Sequence, residues 1–137
     1  MNIADIISKS AVLDNVQAAS KRELVQSLSE RIAALSGLDE RAVFDAVWER
    51  ENLGSTGYGE GVAFPHARIE GLEKVCGMFA RLEEPVDLVF MLISPENSGA
   101  DHLTALAALS RILKTEGSCD KLRKARSTDE IYAILNA

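Results

Sequence analysis

Cysteine is scarce in this chain: Cys76 and Cys119 are the only two among 137 residues, and they fall in segments of different character. That speaks against a disulfide framework and suits a reducing compartment. Long apolar runs are missing as well. No stretch approaches the roughly 18 consecutive apolar residues that cross a bilayer. The opening "MNIADIISKS" lacks the basic start and continuous apolar centre of a secretory signal. Positive charge is in deficit, with a net charge of −6 at pH 7. Bulk charge therefore disfavours nucleic acid or an anionic membrane as partner and favours a basic protein surface. There is no low-complexity linker and no internal repeat. With 47% apolar residues, a chain of this length can bury a core without staples. The expectation is one cytoplasmic domain over residues 1–137.

What is present alternates between two periods. "SKRELVQSLSERIAALSG" begins with Ser20 and Glu23 in capping-box spacing and places Leu24, Leu28, Ile32 and Leu35 on one helical face, with Gly37 as the closing residue. "DERAVFDAVWER" predicts a second helix with Asp39 as N-cap, a stripe of Val43, Phe44, Val47 and Trp48, and Arg50 near its C-terminal end. "GVAF", "KVCGMFARL" and "VDLVFMLI" are short β-rich runs. The last is apolar at nearly every position, as expected of a central strand covered on both faces. "SPENSGA" reads as a loop. "DHLTALAALSRILKTEG" predicts a helix capped by Asp101, with Leu103, Leu106, Leu109, Ile112 and Leu113 turned inward and His102 in its first turn. "STDEIYAILNA" repeats the capping box with Ser127 and Glu130. The order helix, helix, strand, strand, strand, helix, helix predicts a single α/β domain.

Between the second helix and the first of these strands lies "GSTGYGEGVAFPHAR", with four glycines in eight residues. A nucleotide-binding loop runs from strand to helix, so that the helix N-terminus holds the phosphate. Here the order is reversed, Glu60 stands where a phosphate-contacting lysine belongs, and Val62 replaces the last glycine of a GxGxxG pattern. "GSTG" is not the GxSxG of a nucleophile elbow. A plain turn is the bland alternative. Against it, the stretch leads directly to His66, and His102, the only other histidine, also adjoins a loop.

These two imidazoles are the groups whose ordinary pKa lies near neutrality. Pro65 fixes the backbone before His66, read here as the end of a short strand, and His102 stands at a helix N-terminus that favours a nearby anion. Arg50 lies across the loop, and its planar fork suits phosphoryl oxygens. The sequence offers no CxxC, HxxxH or HExxH spacing, so no metal site is expected. No serine is placed as a nucleophile. What remains is an imidazole that accepts a group, with a second imidazole and a guanidinium to hold that group's charge.

The segments "RENLGSTGYGEGVAFPHARIEGL" and "ADHLTALAALSRIL" resemble the enzyme IIA proteins of the bacterial phosphotransferase system, of the fructose/mannitol type and most closely its nitrogen-regulatory branch. The resemblance runs from "ADIISKSAV" to "DEIYAIL" and covers almost the whole chain. It implies a three-layer α/β/α sandwich with a mixed sheet flanked by helices. It also implies that His66 accepts a phosphoryl group from a phosphohistidine on a small HPr-like carrier, that His102 and Arg50 line the same site, and that Ser55 and Thr56 lie close by. Neither a metal nor a nucleotide cofactor is implied. In the nitrogen-regulatory branch the phosphorylation state controls partners such as potassium transporters and sensor kinases. The alternatives are a sugar-specific IIA that discharges to a fructose or mannitol IIB, and a regulatory binding module that is never phosphorylated. One departure stands out. Glu84-Pro85-Val86 joins two strands directly where the family has a further hairpin, a loss on the order of ten residues, more than a tight connection would account for.

Overall fold

A computed structural model describes residues 3–53, 57–59, 62–82, 88–96, 100–115 and 117–136. A short helix α1 (Ile3–Ile6) and a 3₁₀ turn (Lys9–Ala11) lead into strand β1 (Val12–Val16), and helices α2 (Lys21–Ser36) and α3 (Glu40–Leu53) follow. Strands β2 (Gly57–Gly59), β3 (Val62–Ala63), β4 (His66–Ile69), β5 (Cys76–Leu82) and β6 (Leu88–Pro95) come next. Helices α4 (Ala100–Lys114), α5 (Ser118–Lys124) and α6 (Thr128–Leu135) complete the chain.

The helix ends form for the reasons their sequences suggest. Ser20 Oγ accepts the Glu23 amide at 3.1 Å, Ser127 Oγ accepts the Glu130 amide at 3.1 Å, and Asp39 Oδ2 accepts the Ala42 amide at 3.3 Å. Each satisfies one of the orphan donors of a first turn. Gly37 closes α2 at φ 74°, where a side chain would be strained.

The sheet is mixed, in the order β1-β5-β6-β3-β2, with β4 continuing along the same edge of β6 as β3. β5 and β6 are antiparallel, β1 runs parallel to β5, and β3 and β4 run parallel to β6. β6 is the central strand, and every residue from Leu88 to Ser94 is buried, as its unbroken apolar run requires. Helices lie around the sheet, giving the expected α/β layering. α2 packs on α3 and β5, and α3 on β4. α1, α4, α5 and α6 form a second group that reaches β5, β6 and β1. Phe90 is the hub of the core, with Phe79 edge-on at 5.0 Å and Phe64 stacked at 5.5 Å.

Several expectations need correction. β1, α1 and α5 were not expected: "VLDNV" has an acid and an amide in its middle, and the seven residues of α5 are too few for a clear helical period. Leu35 on α2 and Leu103 on α4 are 45% and 65% exposed rather than turned inward. The buried residues of α4 are His102, Ala105, Ala108 and Leu109, with Leu106, Ile112 and Leu113 partly buried against the core as expected. Phe44 and Trp48 are only partly buried, stacked on each other at 5.9 Å. Asp101 lies inside α4, which starts at Ala100, and so is not its cap. His66 begins a strand rather than ending one, and β6 runs on through Ser94 and Pro95, the start of the expected loop "SPENSGA". The shortened connection at Glu84–Val86 lies outside the described residues. On either side of it β5 and β6 pair from Cys76↔Ile93 to Arg81↔Leu88. Among the described residues no helix is long and apolar enough to cross a membrane.

Candidate functional site

The backbone around His66 is held from both sides. Phe64 is buried against Phe90 and anchors the segment between β3 and β4. Pro65 has no amide to give the ladder, but its carbonyl accepts the Leu92 amide at 3.0 Å, which keeps the chain on the edge of β6. His66 then pairs with Leu92. Strand alternation turns Ala67 and Ile69 into the core and leaves His66 half-buried and Arg68 exposed on the opposite face.

The imidazole of His66 has a defined tautomer. Its Nδ1 lies 2.9 Å from the carbonyl oxygen of Phe64. A carbonyl can only accept, so Nδ1 carries the proton and the lone pair resides on Nε2. The ring of His102 lies with its centroid 5.7 Å away, the two planes inclined by 48°. His102 is 6% exposed, and its Nδ1 sits 2.6 Å from Ser94 Oγ, inside the sheet. Burial pushes its pKa below the ordinary value of 6.5, and the neighbouring Arg68 and His66 push in the same direction.

α3 supplies the remaining wall because it packs directly on β4. Ala46, Glu49 and Arg50, three and four residues apart, fall on one helical face and close a pocket of about 340 Å³ with His66, Ala67, Arg68 and His102. The structure therefore brings together three of the residues singled out from the sequence, His66, His102 and Arg50. Ser55 and Thr56 lie outside the described residues. Arg68, Glu49 and Ser94 were missed. Period-two alternation in "HAR" could have placed Arg68 beside His66, whereas the approach of Ser94 to His102 depends on how β6 and α4 pack.

Such an arrangement holds one imidazole with an available lone pair, a second kept mostly neutral, and two guanidinium groups to attract anionic oxygens. Glu49 stops the pocket from being uniformly positive. Among the described residues no group of three or more His, Cys, Asp and Glu side chains is placed to hold a metal ion. A larger depression of about 860 Å³ lies among α1, α4, α5 and α6, but neither histidine reaches it.

Comparison with known proteins matches residues 5–137 to the family described as phosphoenolpyruvate-dependent sugar phosphotransferase system, EIIA 2. The nitrogen regulatory protein of Bradyrhizobium diazoefficiens is 43% identical over 145 aligned residues, covering 98% of this chain and 95% of that protein. The crystal structure of nitrogen regulatory protein IIA-Ntr from Neisseria meningitidis superposes with a TM-score of 0.90 at 33% identity, covering 97% of this chain and 98% of that one. Enzyme IIAMtl of Escherichia coli, solved in complex with phosphorylated enzyme IIBMtl, shares the fold at a TM-score of 0.76 and 21% identity, over 93% of this chain and 94% of that one.

Proposed function

We propose that this chain, which belongs to the EIIA type 2 family of the phosphoenolpyruvate-dependent sugar phosphotransferase system, carries a phosphoryl group on Nε2 of His66. The observation that carries this reading is the 2.9 Å hydrogen bond from Nδ1 of His66 to the Phe64 carbonyl, which leaves Nε2 as the nucleophile. That lone pair attacks phosphorus, the P–N bond of a phosphohistidine on an HPr-like carrier breaks, and the donor nitrogen takes back its electron pair. The proton stays on Nδ1, and its hydrogen bond to the Phe64 carbonyl oxygen offsets the positive charge that the ring acquires.

Phosphoryl transfer asks the protein for alignment and for charge on the equatorial oxygens. Arg50 and Arg68 supply the charge and His102 a further contact, and the family resemblance adds Ser55 and Thr56 as phosphoryl-binding residues. No metal or nucleotide enters the scheme. The domain of residues 1–137 works in the cytoplasm, where its carrier lies. Its phosphorylation state regulates nitrogen and potassium metabolism through partners such as potassium transporters or sensor kinases. The 43% identity to a nitrogen regulatory protein along nearly the whole chain favours this role over a sugar-specific one.

Incubation with phosphoenolpyruvate, enzyme I and the HPr-like carrier tests the assignment. Wild type should gain an acid-labile adduct that His66→Ala lacks. A wild type that stays unmodified would leave a stoichiometric binding module in its place. Rapid discharge to a fructose or mannitol IIB domain would overturn the regulatory role in favour of a sugar-specific one.

A further inference from the structure

We propose that Ser94 is a positioning residue that donates its hydroxyl proton to Nδ1 of His102, so that His102 presents an N–H on Nε2 to the phosphoryl group on His66. The inference rests on the assignment of His66 as phosphoryl acceptor and adds to it a residue that does not touch the reacting atoms.

Ser94 is fully buried in β6, and its Oγ stands 2.6 Å from the His102 nitrogen. This is the one side-chain hydrogen bond that Ser94 makes among the described residues. Two arrangements are possible. If Nδ1 donated, the serine proton would be left buried with no acceptor, and Nε2 would turn a lone pair toward the anionic oxygens. If the serine donates, its proton is satisfied and only spare acceptor capacity is left over, which is the milder shortfall. Nε2 then carries the hydrogen. With Nδ1 held against β6, Nε2 is the nitrogen left to the pocket that His102 lines with His66.

A protonated His102 would also offer an N–H there, but its surroundings oppose the charge. The groups that share the pocket are His66 and Arg68 on β4 and Glu49 and Arg50 on α3, and His102 is buried among them. Burial and the neighbouring Arg68 and His66 keep it neutral. A neutral imidazole offers a hydrogen toward the phosphoryl group only in the Nε2–H tautomer, and Ser94 selects that form. The two histidines thus hold opposite tautomers: the Phe64 carbonyl accepts from Nδ1–H of His66, and the Ser94 hydroxyl donates to the unprotonated Nδ1 of His102. The sheet sets this relation, since Ser94 pairs with Arg68 two residues beyond His66.

Long-range ¹H–¹⁵N spectra of the unphosphorylated wild type read the tautomers directly. Nδ1 of His102 should resonate as an unprotonated nitrogen and Nε2 as a protonated one, with the reverse for His66. Ser94→Ala should shift His102 toward a mixture of tautomers and slow phosphoryl uptake roughly tenfold, comparable to losing an outer partner that orients an imidazole. Ser94→Thr should restore both. A wild-type His102 protonated at Nδ1, or a folded Ser94→Ala with unchanged His102 shifts, overturns the inference. Failure of wild type to accept phosphate while showing the expected tautomers would refute the His66 assignment and leave the Ser94 contact standing.

Discussion

Replacing Arg81 by methionine should cost the fold about 3 kcal/mol and leave phosphoryl transfer intact. Arg81 is the clamp between the sheet and the C-terminal helices. Its Nε and Nη2 meet the two oxygens of Asp14 on β1 at 2.9 and 2.8 Å. Its Nη1 donates to the carbonyls of Leu122 and Ala125 at 2.7 and 2.6 Å, and more weakly to Arg123 at 3.4 Å. Methionine keeps the packing of the stem and removes the donors. Deleting one member of a buried pair costs about 3–5 kcal/mol, and each carbonyl left dry about 1 kcal/mol more. Water recovers part of this, because the Asp14 side chain is 31% exposed, although that of Arg81 is only 15% exposed. A net loss of about 3 kcal/mol corresponds to a fall in Tm of roughly 10 °C for a domain of this size. Urea denaturation followed by circular dichroism measures the loss, and Asp14→Asn divides it. The asparagine removes the charge and leaves the carbonyl bonds, so it should cost about 1 kcal/mol. A loss below about 1 kcal/mol for Arg81→Met, or equal losses for the two variants, would show that solvent replaces the clamp or that the carbonyls add nothing.

Arg68→Gln should raise the pKa of His102 toward its ordinary value, read by NMR titration, and should slow phosphoryl uptake by about tenfold to a hundredfold. An unmoved titration would show that Arg68 does not act on the site. Folded His102 holds its proton less tightly than the unfolded chain does. Its contribution to stability is therefore complete above about pH 6.5 and is lost as the pH falls from there toward the lower folded pKa. His102→Gln should flatten that part of a stability-versus-pH curve, and an unchanged slope would count against the depressed pKa. Gly77→Ala would put a Cβ 2.7 Å from Ile6 Cγ2 and 3.1 Å from Ile7 Cγ1, inside the core. It should cost about 1–3 kcal/mol in urea unfolding, partly recovered by Ile6→Leu, which lacks the clashing methyl. No measurable cost would mean that α1 moves away freely.

Much of the fold could be read from local chemistry, because caps and periods involve neighbours in sequence. Ser20, Asp39 and Ser127 act on amides three residues along, and Gly37 adopts the left-handed turn that ends its helix. The central position of β6 followed from its unbroken apolar run. The misreadings arose where packing overrides pattern. Leu103 is apolar yet exposed, and its histidine neighbour is buried, because the face of α4 that meets β6 is set by what lies beneath it.

By itself, the sequence determined the glycine stretch, the proline before His66, the scarcity of other groups that titrate near neutrality, and the short list His66, His102 and Arg50. Those are matters of residue type and spacing, and they persist in an unfolded chain. Only the tertiary structure decided which nitrogen of each imidazole holds the proton. That depends on the Phe64 carbonyl turning toward one ring and on a serine 8 residues from the other arriving at 2.6 Å. It likewise decided that Arg68 joins Arg50 across the pocket, since β4 and α3 meet only when both pack on the same sheet. A proton has a definite place only once its donor and acceptor are fixed in space, and fixing them is the work of the packed core.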